Sequence, residues 1–305
     1  MQEQSRAYWM ERQKKLWNSQ IKADKKLQNK LAKEYKRVHS QFEKEIAVYY
    51  QKYGKNNVID FRVMAEALTP TERELLFQNF DAFATKYPKY AKYQGVRESI
   101  YKLNRLEGLQ LTIEQHLLEL GAIEEEIYLK HLTDSYKTGY LATMNGLPNK
   151  GAFFGVNDNL MRLTLNQKWA AGRNYSDRIW VDKKRLTDFI SNDLRDGLHR
   201  GTPYRKMTAQ LQERFNTSNY VAKRLVVSES SFVLNQANRQ AFLDAGVKSY
   251  EITAVLDKRT TQICRRLNGQ IFDFGKDVVG FTYPPFHAFC RTTVVPVLDS
   301  YLVTV

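Results

Sequence analysis

Both cysteines of this chain fall within 27 residues of one another, and a histidine lies between them. Cys264 closes the run Asp257-Lys-Arg-Thr-Thr-Gln-Ile-Cys264, and His287-x-x-Cys290 follows in Tyr283-Pro-Pro-Phe-His287-Ala-Phe-Cys290-Arg291. Two thiolates and an imidazole are soft-to-borderline ligands of the kind zinc takes, and His287-x-x-Cys290 can present two of them from a single turn. A structural zinc site needs four ligands, and a catalytic one needs three plus water. The fourth place would fall to Asp257, to water or to nothing. A buried thiol pair hydrogen-bonded to His287 is the competing reading, because free cysteine is among the most buried residue types. A disulfide is disfavoured, since the N-terminus has no apolar signal stretch and predicts synthesis in a reducing cytoplasm.

Other chemistry is thin. The chain contains no GxGxxG, no P-loop, no G-x-S-x-G and no H-E-x-x-H. Histidines 39, 116, 131, 199 and 287 are scattered. Glu229, flanked by serines, invites a catalytic reading, but no nucleophile pairs with it in the sequence, and a capping or ion-pairing role is expected. Asp257 and Arg259 are expected to satisfy each other or buried backbone groups.

The elements that must position these residues are mostly helical. The first 53 residues hold neither Gly nor Pro. Leu27, Leu31, Tyr35, Val38, Phe42, Ile46 and Tyr49 recur at spacings of three and four, and Ile21, Trp17 and Tyr8/Trp9 extend the stripe backward. A helix of about 50 residues is about 75 Å long, and Gly54-Lys55-Asn56-Asn57 ends it. Thr69-Pro70-Thr71-Glu72 is a capping box with proline at the first helical position. A further helix is expected over 109–140, with Gly121 a candidate break. Residues 144–157 are rich in Gly, Asn and Pro and read as a linker. Helical patterning resumes over 158–200 with an interruption near 172–174. Thr202-Pro203 starts a helix ending near Phe215, Thr217 or Ser218 caps the next, and Gly246 closes it.

The period then changes. Tyr250, Ile252, Ala254 and Leu256 alternate as in a half-buried strand, Asn268-Gly269 suggests a hairpin leading into Ile271-Phe272, and Thr293–Val297 reads as an edge strand because Pro296 cannot donate to a ladder. The predicted fold is mainly α (α+β). Its regions are a long basic N-terminal helix (1–57), a helical region (58–143), a linker (144–157) and a C-terminal α+β domain (158–305) with a small antiparallel β-sheet.

Forty-seven Lys and Arg against 33 Asp and Glu give a net charge of +14 and a pI near 9.5. Residues 1–60 alone carry 14 cations against 7 anions. Such a balance bears on partners, namely nucleic acid, acidic proteins or anionic membranes, and not on fold. The 43% hydrophobic share excludes general disorder, and no apolar run is long enough to span a membrane.

The run Ser249–Phe272 with Gly280–Val297 resembles the C-terminal domain of the Mu F-like head-morphogenesis proteins of tailed bacteriophages. Asp257, Arg259, Thr260, Cys264, Leu267, Gly269, Phe272, Pro284, Pro285, His287, Cys290 and Arg291 match that pattern in order. Asn174–Trp180, Leu225–Glu229 and Tyr8-Trp9-x-x-Arg12 resemble further family blocks. Many members carry two additional cysteines where this chain has Thr261 and Thr292, so Cys264, His287 and Cys290 are what remains of a structural zinc site. The resemblance implies a non-enzymatic minor structural (minor capsid) protein of a phage head, made in the host cytoplasm and located in the virion. Its implied partners are the portal protein, double-stranded DNA bound without sequence preference, and the major capsid or scaffolding protein. The rival reading is a metal-dependent enzyme, hydrolase or nuclease-like, using the same three residues.

Overall fold

The sequence folds around four long helices, and a computed structural model describes residues 5–147 and 155–298. In chain order the elements are α1 (Arg6–Tyr53), β1 (Gly54–Lys55), β2 (Val58–Ile59), α2 (Phe61–Met64), α3 (Pro70–Lys86), two 3₁₀ turns (Pro88–Tyr93 and Arg97–Lys102), α4 (Arg105–Met144), α5 (Asp158–Asn166), α6 (Tyr175–His199), α7 (Tyr204–Asp244), β3 (Ser249–Thr253), α8 (Gln262–Leu267), β4 (Ile271–Asp273) and β5 (Thr293–Val297). The protein is mainly α with a small antiparallel sheet near its C-terminus, ordered β4-β3-β5.

Two units emerge from the packing, and neither follows the linear division expected from the sequence. One comprises residues 1–28, 127–175 and 223–305, and the other residues 29–126 and 176–222. Residues 158–305 are thus divided between the two, with 176–222 grouped with 29–126. Of the expected linker 144–157, residues 148–154 lie outside the described residues, and Met144 still belongs to α4.

α1 ends where Gly54 comes within 2.3 Å of the Tyr50 carbonyl, measured from where a Cβ would sit, so no side chain fits there. Asn56 and Asn57 both adopt positive φ, as a two-residue hairpin between β1 and β2 requires. The core seam of α1 departs from expectation in its first half. Ile21 is exposed, whereas Gln20 and Asp24 are buried. Polar partners explain the inversion: Gln20 donates to Asp24 (2.8 Å) and to Ser135 (2.9 Å), and His131 Nε2 lies 2.9 Å from Asp24 and 3.0 Å from Ser230. Farther along, Tyr50 rather than Tyr49 takes the core position.

α4 runs unbroken through Gly121 because that glycine admits a neighbour. A Cβ there would sit 2.8 Å from the indole of Trp180, whose ring stacks on Tyr93 at 4.6 Å and whose Nε1 donates to Glu125 at 2.6 Å. α7 is likewise continuous where a break near 215–218 was expected. Ser218 does not cap a helix; its hydroxyl donates to the Asp182 carboxylate instead. That bond belongs to a buried group in which Lys183 reaches Glu124 (3.0 Å), Asp182 (3.2 Å), Ser218 (3.3 Å) and the Tyr35 hydroxyl. Burial alone would drive Lys183 neutral, but Glu124, Tyr35 and Asp182 outweigh it and hold its proton.

The capping box of α3 forms as read from the sequence. The Glu72 amide donates to Thr69 Oγ1 at 3.3 Å, and Glu72 Oε2 accepts from the Thr69 amide at 2.9 Å. Partial burial pushes the Glu72 carboxyl up, yet hydrogen bonds from Lys52, Tyr53 and Thr69 more than offset it and bring the pKa down to about 2. A carboxylate depressed in the folded state stabilises above its unfolded value of about 4.3, and that contribution fades as pH falls through 2. The stability gap between wild type and Glu72→Gln, measured by urea unfolding, should therefore be full at pH 6 and close between about pH 4 and 2. A gap independent of pH would contradict this.

Candidate metal centre in the C-terminal sheet region

β3 is the central strand of the sheet and pairs with β5 over five residues, from Ser249↔Val297 to Thr253↔Thr293. That register sets the chain leaving β3 beside the chain entering β5. The first leads through the Asp257 loop into α8, and the second carries His287 and Cys290. Cys264 therefore sits on a short helix, and the expected Asn268-Gly269 turn comes after it and leads into β4.

Cys264, His287 and Cys290 converge, with their ligand atoms all within 4.8 Å of one another. The two sulfurs are 3.8 Å apart and unbonded, and His287 Nε2 lies 3.1 Å from Cys264 Sγ. Both cysteines are buried and the histidine is half-buried. His287 Nδ1 is 2.7 Å from the Ala288 carbonyl, so Nδ1 carries the proton and donates, leaving the Nε2 lone pair aimed at the cluster. Thr261 Oγ1, one of the two threonines in extra-cysteine positions, lies 2.9 Å from Nε2. Within the thiol pair, hydrogen bonding from Cys264 lowers the pKa of Cys290, while the same bond, together with burial, raises that of Cys264.

This donor set fits a zinc ion. Two sulfurs held about 2.3 Å from a tetrahedral zinc are about 3.8 Å apart, the separation found here, and a sulfur and an imidazole nitrogen are about 3.5 Å apart, against 3.1 Å between Cys264 Sγ and His287 Nε2. The histidine tautomer is the one a ligating Nε2 requires, with the other ring nitrogen held by a carbonyl. Asp257 is not the fourth ligand. Its carboxylate accepts two parallel bonds from Arg291, at 2.8 and 2.6 Å, and one from the Arg259 amide at 2.8 Å. The expected Asp257–Arg259 side-chain pair is loose by comparison, at 3.7 Å with Arg259 largely exposed.

The loop that presents the ligands is unusual in one respect. Phe289, between His287 and Cys290, has φ +61°, a left-handed conformation uncommon for a bulky residue. Its amide donates to Ser228 Oγ on α7 at 3.3 Å, which helps to hold it there.

Residues 188–295 match a protein-family model described as phage Mu protein F like. This stretch is Mu F-like. It contains all three cluster residues, together with Asp257 and Arg291. The chain is also 28% identical over 119 residues to an uncharacterized protein of Haemophilus influenzae, an alignment covering 39% of this chain and 26% of that protein. The chain thus spans about a quarter of the length of the curated relative it matches. No solved structure matches.

Glu229, on α7 of the Mu F-like stretch, accepts a hydrogen bond from the Trp169 indole at 3.0 Å and is buried. Arg265 went unnamed in the sequence, and the contacts that Thr261 and Arg291 make were not drawn from it. Thr261 contacts the histidine, and Arg265 and Arg291 each directly follow a cysteine. The repeated Cys-Arg dipeptide was the available signal.

Proposed function

We propose that this protein is a minor structural component of a tailed-phage head, associated with the portal vertex and the packaged DNA, and that it serves head morphogenesis. The Mu F-like match over residues 188–295 carries this reading. Its partners are then the portal protein, double-stranded DNA, and the capsid or scaffolding protein, and it resides in the virion after synthesis in the host cytoplasm. No helix among the described residues is long and apolar enough to cross a membrane. Mass spectrometry of purified heads, before and after DNA release, tests the assignment. Recovery with the portal supports it, and absence from both proheads and finished heads overturns it.

The DNA association is supported by α1. Lys14, Lys22, Lys25, Lys26, Lys30 and Lys33 are all exposed on that helix. Such cations meet phosphates without reading bases, and each phosphate contact adds about 0.9 to the slope of log affinity against log salt. Duplex DNA of unrelated sequences should bind with equal affinity. Changing Lys22, Lys25 and Lys26 to Gln should flatten the slope by roughly 2–3, as read by fluorescence anisotropy at several salt concentrations. An unchanged slope would remove α1 from the interface.

In the same proposal, Cys264, His287 and Cys290 hold one zinc ion as a structural staple, with water or Thr261 facing the remaining position. Zinc supplies bonds that close the loop from α8 to β5, and no reaction step depends on it. A metal-dependent hydrolase is the competing reading. The burial of both cysteines favours the staple, because a catalytic metal keeps a position open to substrate.

A further inference from the structure

Each cysteine of the cluster is followed by an arginine, and both arginines end on one residue. Arg291, next to Cys290, clamps the Asp257 carboxylate with two bonds of 2.8 and 2.6 Å. Arg265, next to Cys264, donates through Nη2 to the Asp257 backbone carbonyl and through Nε to the Thr260 carbonyl at 3.3 Å. Asp257 is itself held by its loop. Its amide donates to Thr260 Oγ1 at 2.7 Å, and that hydroxyl donates to the Val255 carbonyl at 2.6 Å. The next residue, Thr261, is the N-cap position of α8 and places its hydroxyl against His287.

We propose that Asp257 is the positioning residue of the cluster: it yokes the two Cys-Arg pairs and thereby sets the separation of the two sulfurs. A bidentate carboxylate–guanidinium pair fixes both distance and plane, which a single contact does not. The Asp257 side chain is 35% exposed and that of Arg291 20%. An ion pair so open to water adds little to global stability. Its effect should appear in the geometry of the site and hardly at all in the fold. The yoke rests on the zinc reading for one arm of its test, and on the thiol geometry alone for the other.

The test uses the full chain and cobalt(II) as a spectroscopic substitute for zinc. Sulfur-to-cobalt charge-transfer absorption counts bound thiolates, and the visible bands report tetrahedral geometry. Asp257→Asn keeps the size and an acceptor oxygen but loses the charged clamp. It should weaken cobalt binding roughly 10- to 100-fold, as loss of outer-shell partners of metal ligands does, with altered bands and an unchanged helical circular dichroism spectrum. Arg291→Lys keeps the charge without the fork and should fall between. Arg259→Gln, at a side chain 73% exposed, should match wild type. A folded Asp257→Asn protein with wild-type cobalt affinity and bands overturns the yoke.

If wild type binds no cobalt, the zinc reading fails and the second arm decides. Diamide accepts two electrons and two protons from the two thiols, becoming the hydrazine as the Cys264–Cys290 bond forms. That rate depends on how the sulfurs are held. Asp257→Asn should slow it at least tenfold relative to wild type, with Arg259→Gln unchanged. Equal rates overturn the yoke irrespective of metal.

Discussion

Lys183→Met should destabilise the protein by about 3–5 kcal/mol, the usual consequence of removing one partner from a buried ion pair. Lys183 and Glu124 are each 2% exposed, and Asp182 beside them is 7% exposed. Without the ammonium group, Glu124 and Asp182 are left as buried carboxylates facing each other across the Tyr35 and Ser218 hydroxyls. Urea unfolding with paired thermal melts would measure the loss. The second variant is the informative one. Adding Glu124→Met to Lys183→Met removes one of the two stranded carboxylates, Asp182 keeping Arg185 at 2.8 Å, and should recover a large part of the lost stability, because replacing both members of a buried pair by apolar groups is often neutral. A single variant within 1 kcal/mol of wild type, or a double variant worse than the single, would show that the pair is not load-sharing in this way.

Cys264→Ser carries the other large expected effect, and its size separates the two accounts of the cluster. With zinc bound, the substitution should release one equivalent of metal, measurable with a chromogenic chelator, and should lower the melting temperature as far as full chelation of wild type does. With a packed thiol pair alone, it should cost about 1–3 kcal/mol, with no metal to release and no response of wild type to chelator. A serine variant that melts like wild type and retains metal would contradict both.

The convergence of Cys264, His287 and Cys290 was legible because strand alternation, proline placement and family pattern all pointed to one small sheet. The helices were legible wherever local chemistry alone decides. The Thr69–Glu72 box and the stop at Gly54 need only a few neighbouring residues, and both appear as read. What the sequence could not reveal depends on partners distant along the chain. Ser218 looked like a cap because its tie to Asp182 is invisible in one dimension, and α7 was therefore broken in the reading but whole in the fold. Ile21 seemed a better core residue than Gln20 or Asp24 until Ser135, His131 and Ser230 arrived to satisfy them. Gly121 was read as a helix breaker, whereas it marks the place where the Trp180 ring needs room. Asp257 keeps its expected neighbour, accepting from the Arg259 amide with the Arg259 side chain at 3.7 Å, but its bidentate partner, Arg291, is near only in space and went unread for the same reason.

The interleaved make-up of the two units bears on synthesis. The unit of residues 29–126 and 176–222 has all its parts once Ala222 has left the ribosome. The other must keep its first 28 residues waiting for β5, which ends at Val297. At 5–20 residues per second, translation from Lys223 to Val297 takes about 4–15 s, long compared with helix formation. At the start of that interval the N-terminal turns of α1 have residues 127–175 beside them, but not Phe242, against whose ring Trp9 packs at 5.8 Å. The nascent chain thus passes through an obligatory half-assembled stage, and that stage is when chaperones, or neighbouring copies on the same polysome, have access to it.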